Sequence, residues 1–118
     1  MFTIKVLGDF CGAHNLREYE GKCENLHGHN WKVELEIASQ TLDKTGMVID
    51  FKIAKKELNI ILEELDHKHL NDLEYFKINN PTSENMAKYI YDKVCEKIDK
   101  VKSVSVWETD TSCARYNK

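Results

Sequence analysis

The sequence predicts an α+β fold in which two helices cover one face of a four-stranded antiparallel sheet, in the order β-β-α-α-β-β. Three observations predict it. Apolar residues alternate with polar ones near both ends of the chain, and two central segments repeat their apolar residues at helical spacing. Each helix carries a single apolar stripe, so both must lie against the same sheet.

The first strand covers residues 1–10, where Phe2, Ile4, Val6 and Phe10 fall on one face. A glycine-containing segment leads to the second strand over residues 29–38, in which Trp31, Val33, Leu35 and Ile37 alternate with Lys32, Glu34 and Glu36. Thr41 to Gly46 form a turn, and the run Met47-Val48-Ile49-Asp50-Phe51 either extends a sheet edge or enters a helix. The first helix spans roughly residues 52–66, with Ala54, Leu58, Ile61, Leu62 and Leu65 as its inner stripe.

A polar loop then ends at Asn79-Asn80-Pro81-Thr82-Ser83-Glu84, where a hydroxyl residue can cap a second helix and Glu84 suits its first turn. That helix runs to about Ile98, burying Met86, Ala87, Ile90, Tyr91, Val94 and Ile98. Alternation returns through Val104, Val106 and Glu108, and a last strand covers residues 114–116. A four-stranded sheet of this kind leaves open edges, which predicts self-association through them.

At 118 residues the chain is expected to form one domain, residues 1–118. A net charge of -3, with lysines scattered among glutamates, gives no footprint for nucleic acid. The N-terminus lacks a signal peptide and no segment is apolar enough to span a bilayer, so a cytoplasmic location is expected, without membrane association. Its four cysteines should then be reduced. Cys95 reads as core, and Cys11 and Cys113 have no assigned chemistry.

The densest chemistry lies in Cys23-Glu24-Asn25-Leu26-His27-Gly28-His29-Asn30, with His14 close upstream. If the second strand extends back to His27, the alternation puts His27 and His29 on the apolar face with Trp31, roughly 7 Å apart along the backbone. Three histidines with a fourth position open describe a catalytic zinc site, so His14, His27 and His29 are read as ligands and Cys23 as a neighbouring group. Two other readings stand beside it: polar residues of a surface loop, and a closed structural zinc with Cys23 as fourth ligand.

Two further places carry charge in company. Asp66-His67 falls where the first helix ends, where a dipole and a carboxylate favour imidazolium; it reads as an acid-base pair or as a solvated helix end. His69 reads as surface. Glu108 shares the inward face of Val104 and Val106, where a carboxylate needs a partner: a structural cation, or a ligand with adjacent N–H donors. Lys32, Lys52 and Arg115 are candidate phosphate contacts and equally a solvated face.

Taken together, Phe10-Cys11-Gly12-Ala13-His14, the Cys23 to Asn30 segment, Val48-Ile49-Asp50-Phe51, Leu65-Asp66-His67, Pro81-Thr82-Ser83-Glu84-Asn85 and Trp107-Glu108-Thr109 resemble the 6-pyruvoyltetrahydropterin and 6-carboxytetrahydropterin synthase family, in order over nearly the whole chain. The resemblance implies the tunnelling fold, with trimers closing a barrel and two trimers stacking into a hexamer with active sites between subunits. It implies zinc on His14, His27 and His29, and Cys23 as the catalytic thiol. Asp66 and His67 become the acid-base pair, Glu108 the anchor of a pterin ring, and Thr82 and Ser83 part of the pterin pocket. The implied substrate is 7,8-dihydroneopterin triphosphate. The spacing in which Cys23 precedes His27 by four residues, without a longer insert, resembles the bacterial branch that makes 6-carboxy-5,6,7,8-tetrahydropterin for queuosine, releasing acetaldehyde and triphosphate.

Two rivals remain. A 6-pyruvoyltetrahydropterin synthase would keep the side chain attached, and a noncatalytic zinc-stabilised binding module would use Cys23 as a ligand. Cys11-Gly12 departs from the small residues usual before Ala-His, adding a second thiol near the expected metal.

Overall fold

The computed structural model describes residues 1–22 and 24–118; Cys23, the thiol singled out above, lies outside the described residues. The elements run β1 (Phe2–His14), β2 (His27–Ser39), α1 (Phe51–Leu65), β3 (Lys68–His69), a 3-10 turn (Leu70–Asp72), α2 (Glu74–Ile78), α3 (Ser83–Cys95), β4 (Val101–Thr109) and β5 (Ser112–Tyr116). They form one sheet in the order β3-β1-β2-β4-β5. All pairings are antiparallel except β1 with β3, which is parallel through Gly12↔Lys68 and Ala13↔His69.

The long β1–β2 ladder is in register from Phe2↔Ser39 to His14↔His27, matching Val6 to Leu35 and Phe10 to Trp31 on the face that the helices cover. One-residue slippage would turn all these side chains to solvent, so the apolar pattern fixes the register. Phe10 and Trp31 stack with centroids 6.0 Å apart. From the other side come the α1 stripe of Ala54, Leu58, Ile61, Leu62 and Leu65 and the α3 stripe of Met86, Ala87, Ile90, Tyr91 and Val94, all buried.

Both helices begin where a side chain takes up a free N–H. Asp50 accepts from the Lys52 amide at 2.9 Å, so the apolar run before it is a helix entrance. Thr82 caps α3 by accepting from the Asn85 amide at 3.1 Å. Among the described residues, no helix is long and apolar enough to cross a membrane.

The structure adjusts several boundaries. The sheet has five strands, the fifth being the two-residue β3, too short to leave an alternating pattern. The segment read as a polar loop holds a 3-10 turn and α2, which sink Leu70 and Phe76 into the core. Two apolar residues six apart carry no helical period. Helix α3 stops at Cys95, yet a further turn, with Ile98 N–H donating to Val94 C=O, still buries Ile98. Cys95 is exposed, because it falls just off the α3 stripe. His69 is half-buried in β3, its Nε2 lying 3.3 Å from Asn15 Oδ1.

Candidate metal centre

Three neighbouring strands end at one place. His14 is the last residue of β1, His27 and His29 open β2, and Glu108 comes near the end of β4. The strand alternation turns all four toward the helix-covered face, and one ligating atom from each falls within 4.8 Å of the others. Trp31 forms the floor, with its ring 4.9 Å from that of His14 and 5.1 Å from that of His29, and its indole N–H donates to the Gly12 carbonyl at 3.1 Å.

The hydrogen bonds around the imidazoles decide which nitrogens remain free. His14 Nδ1 lies 2.7 Å from the Pro81 carbonyl and His27 Nδ1 lies 2.8 Å from that of Asn25. A carbonyl only accepts, so both Nδ1 atoms carry a proton, and in the neutral rings both Nε2 atoms hold a lone pair. Those two Nε2 atoms face each other at 3.1 Å. Burial pushes His14 toward its neutral form, lowering its pKa from the usual 6.5, with the Pro81 bond opposing in part.

Two facing lone pairs repel unless a cation lies between them. Two nitrogens each about 2.0–2.1 Å from a tetrahedral zinc would be roughly 3.3 Å apart, close to what is found. His29 Nε2 is buried and 3.2 Å from Glu108 Oε1, but without the alignment of a hydrogen bond, so it too is left without a partner. A buried ring nitrogen without a partner beside two converging ones fits a metal ion, and the donor set of imidazoles and a carboxylate suits a borderline cation such as zinc.

The structure does not bring Asp66 and His67 to this cluster within one chain. His67 Nδ1 donates to Asp66 Oδ2 at 2.9 Å, and the other carboxylate oxygen accepts from the Cys11 amide at 2.9 Å. That bond is the main cause of the carboxyl's lowered pKa, with His67 adding to it. His67 takes a left-handed conformation, φ 57°, as its N–H turns back to the Cys11 carbonyl at 2.6 Å. Its ring lines a recess with Cys11, Asn30 and Lys68, whose side chains lie on the helix-free side of the sheet. Cys11 therefore points away from the metal centre; its thiol donates weakly to Asn30 Oδ1 at 3.7 Å.

Of the two hydroxyl residues expected in a ligand pocket, Ser83 shares a recess with Glu108, together with Ser112 and Cys113. The Thr82 hydroxyl is engaged as the α3 cap. Lys32 sits 4.7 Å over the Trp107 ring and Arg115 donates to Ser105 at 3.3 Å, both on the helix-free face. Sequence reasoning missed the part that Pro81 plays at the site, because it is played by a backbone carbonyl, which has no side-chain signature.

The sequence profile described as 6-pyruvoyl tetrahydropterin synthase matches residues 3–118. The chain belongs to this family. The chain is 42% identical to 6-carboxy-5,6,7,8-tetrahydropterin synthase of Synechocystis, over 98% of its own length and 93% of that protein's. It is also 36% identical to 6-pyruvoyl tetrahydrobiopterin synthase of Drosophila melanogaster, over 88% of this chain and 66% of that one. Among solved structures, Caenorhabditis elegans 6-pyruvoyl tetrahydropterin synthase superposes with a TM-score of 0.89 at 29% identity, covering 99% of this chain and 95% of that one.

Proposed function

We propose that this chain is a zinc-dependent 6-carboxy-5,6,7,8-tetrahydropterin synthase of queuosine biosynthesis, converting 7,8-dihydroneopterin triphosphate with release of acetaldehyde and triphosphate. The observation that carries the reading is the meeting of His14, His27 and His29 with one ring nitrogen of each turned to one point, beside a carboxylate suited to a pterin edge. The similarity to the Synechocystis enzyme favours the carboxy branch over the pyruvoyl one.

In this reading His14, His27 and His29 hold the zinc. When bound, it supplies Lewis-acid polarisation of oxygens on the substrate side chain. Glu108 accepts the paired N–H groups of the pterin ring and so fixes the reacting carbons over the histidines, with Ser83 beside it. Asp66 holds His67 by Nδ1, leaving Nε2 to pass protons. Cys23 is the second proton-moving group, carried over from the family resemblance.

Asp66 and His67 are not among the residues whose ligating atoms converge, which favours a site completed by a neighbouring copy. Among the described residues, strand β1 leaves its edge from Phe2 to Cys11 without a strand partner, and β5 is the other open edge. A homohexamer built as a dimer of trimers satisfies both. Analytical ultracentrifugation at micromolar concentration should then give six times the 13.8 kDa chain mass; a monomer would sink this part of the reading.

Mass spectrometry of the product from 7,8-dihydroneopterin triphosphate and zinc-loaded protein tests the reaction. A carboxylated tetrahydropterin with acetaldehyde is expected. A pyruvoyl product would move the chain to the other branch, and no turnover with metal bound would favour a zinc-stabilised binding module.

A further inference from the structure

The β1–β2 ladder stops at His14↔His27, yet the backbone beyond it is not left unpaired. The Asn15 N–H donates to Asn71 Oδ1 at 3.0 Å, and Asn71 Nδ2 donates back to the Asn15 carbonyl at 2.8 Å. Two residues on, the Arg17 N–H donates to Asn80 Oδ1 and Asn80 Nδ2 donates to the Arg17 carbonyl, both at 2.9 Å. A primary amide presents one acceptor and one donor side by side, as a residue of a partner strand does. Each asparagine therefore stands in for one strand residue, reaching back 56 and 63 positions along the chain.

The second asparagine belongs to a short run in which every residue has a task at the site. Asn80 pairs with Arg17, Pro81 accepts from His14 Nδ1, and Thr82 caps α3. Asn85, in the first turn of α3, donates from Nδ2 to the Asn80 carbonyl at 2.9 Å and so ties the run to the helix. Arg17 adds a guanidinium bond to the Phe76 carbonyl at the neighbouring α2. His14 is thereby held from both sides: its ring by Pro81, and the backbone that follows it by two amide pairs.

We propose that Asn71 and Asn80 are positioning residues for the histidine cluster, amides that extend the sheet edge past His14 and fix the direction of its Nε2. The proposal rests on the metal reading above. It predicts that either residue controls metal affinity and coordination geometry without touching the ion. Groups that orient a ligating histidine typically change metal affinity by about 10–100-fold when removed.

The test compares Asn71→Ala and Asn80→Ala with Asn79→Ala, whose side chain, among the described residues, bonds only the Tyr75 carbonyl of the adjoining α2. Zinc affinity is measured by competition with a chromophoric chelator, and the visible spectrum of the cobalt-substituted protein reports ligand geometry. Asn71→Ala and Asn80→Ala should each bind zinc about tenfold or more weakly with a shifted cobalt spectrum, while Asn79→Ala matches the parent. If Asn80→Ala does not fold, Asn71→Ala, which leaves the start of α3 intact, carries the test. Parental affinity and spectrum in the clamp variants would overturn the proposal, as would an equal loss in Asn79→Ala. A parent that binds neither metal would refute the metal reading itself.

Discussion

The Nε2 atoms of His14 and His27 face each other at 3.1 Å while both Nδ1 atoms donate to backbone carbonyls. In that tautomer neither ring can donate to the other, so a cation between them relieves a repulsion already present in the fold. One zinc per chain is therefore expected by elemental analysis, and His14→Ala should lower its affinity by several orders of magnitude. Because the apolar core of α1, α3 and the sheet does not depend on the ion, chelation should abolish activity and leave most far-UV circular dichroism unchanged. Unfolding on chelation would identify a structural metal instead.

Glu108 is close enough to His29 to be a fourth ligand, yet it also faces a recess shared with Ser83. The two roles separate on substitution. As a ring anchor, Glu108→Gln keeps its size but loses the charge that accepts two N–H groups, so zinc affinity should stay within a few fold while kcat/KM drops by roughly 100-fold or more. A zinc affinity that falls together with turnover would make Glu108 a ligand.

Gly8 lies where α1 crosses β1. A Cβ built there would come 2.7 Å from Leu62 Cδ1 and 3.3 Å from both Leu58 Cδ2 and Asn59 Oδ1. Leu58 and Leu62 are buried in the core and have little room to retreat. Gly8→Ala should destabilise the fold by about 1–3 kcal/mol, read from urea denaturation at neutral pH. An unchanged midpoint would mean that α1 can shift outward freely.

Much of this architecture could be read from the sequence because long amphipathic elements repeat their own evidence of burial. The five α1 positions chosen from periodicity are its five buried apolar residues, and β2 places Trp31 to Ile37 inward as the alternation requires. The meeting of His14 with His27 and His29 followed from the same alternation once β1 and β2 were extended to their ends. What could not be read depends on contacts distant in sequence. Strand β3 exists because two residues after α1 meet Gly12 and Ala13, and α2 buries Phe76 through tertiary contacts alone. Asn71, Asn80 and Pro81 are ordinary loop residues until the fold sets them beside residues 14–17.

Asp66 offers a test by pH. Its carboxylate accepts the Cys11 amide and His67 Nδ1, and these bonds hold its pKa below the usual 3.8 in the folded chain. Between the folded value and 3.8 the unfolded chain binds a proton that the folded chain does not, so stability rises with pH across that window. The contribution is thus complete above the ordinary carboxylate range and is lost as pH falls through the folded value. Asp66→Asn removes this pH dependence, because a carboxamide does not titrate and has one acceptor oxygen for the two N–H groups. The gap in urea midpoint between the parent and Asp66→Asn should be largest above about pH 5 and shrink below about pH 4. A gap that widens on acidification would mean that the neutral carboxyl, and not the carboxylate, is the form held by the fold. Since Asp66 is ionised throughout the neutral range, an acid limb of kcat/KM above pH 5 that survives in Asp66→Asn belongs to another group.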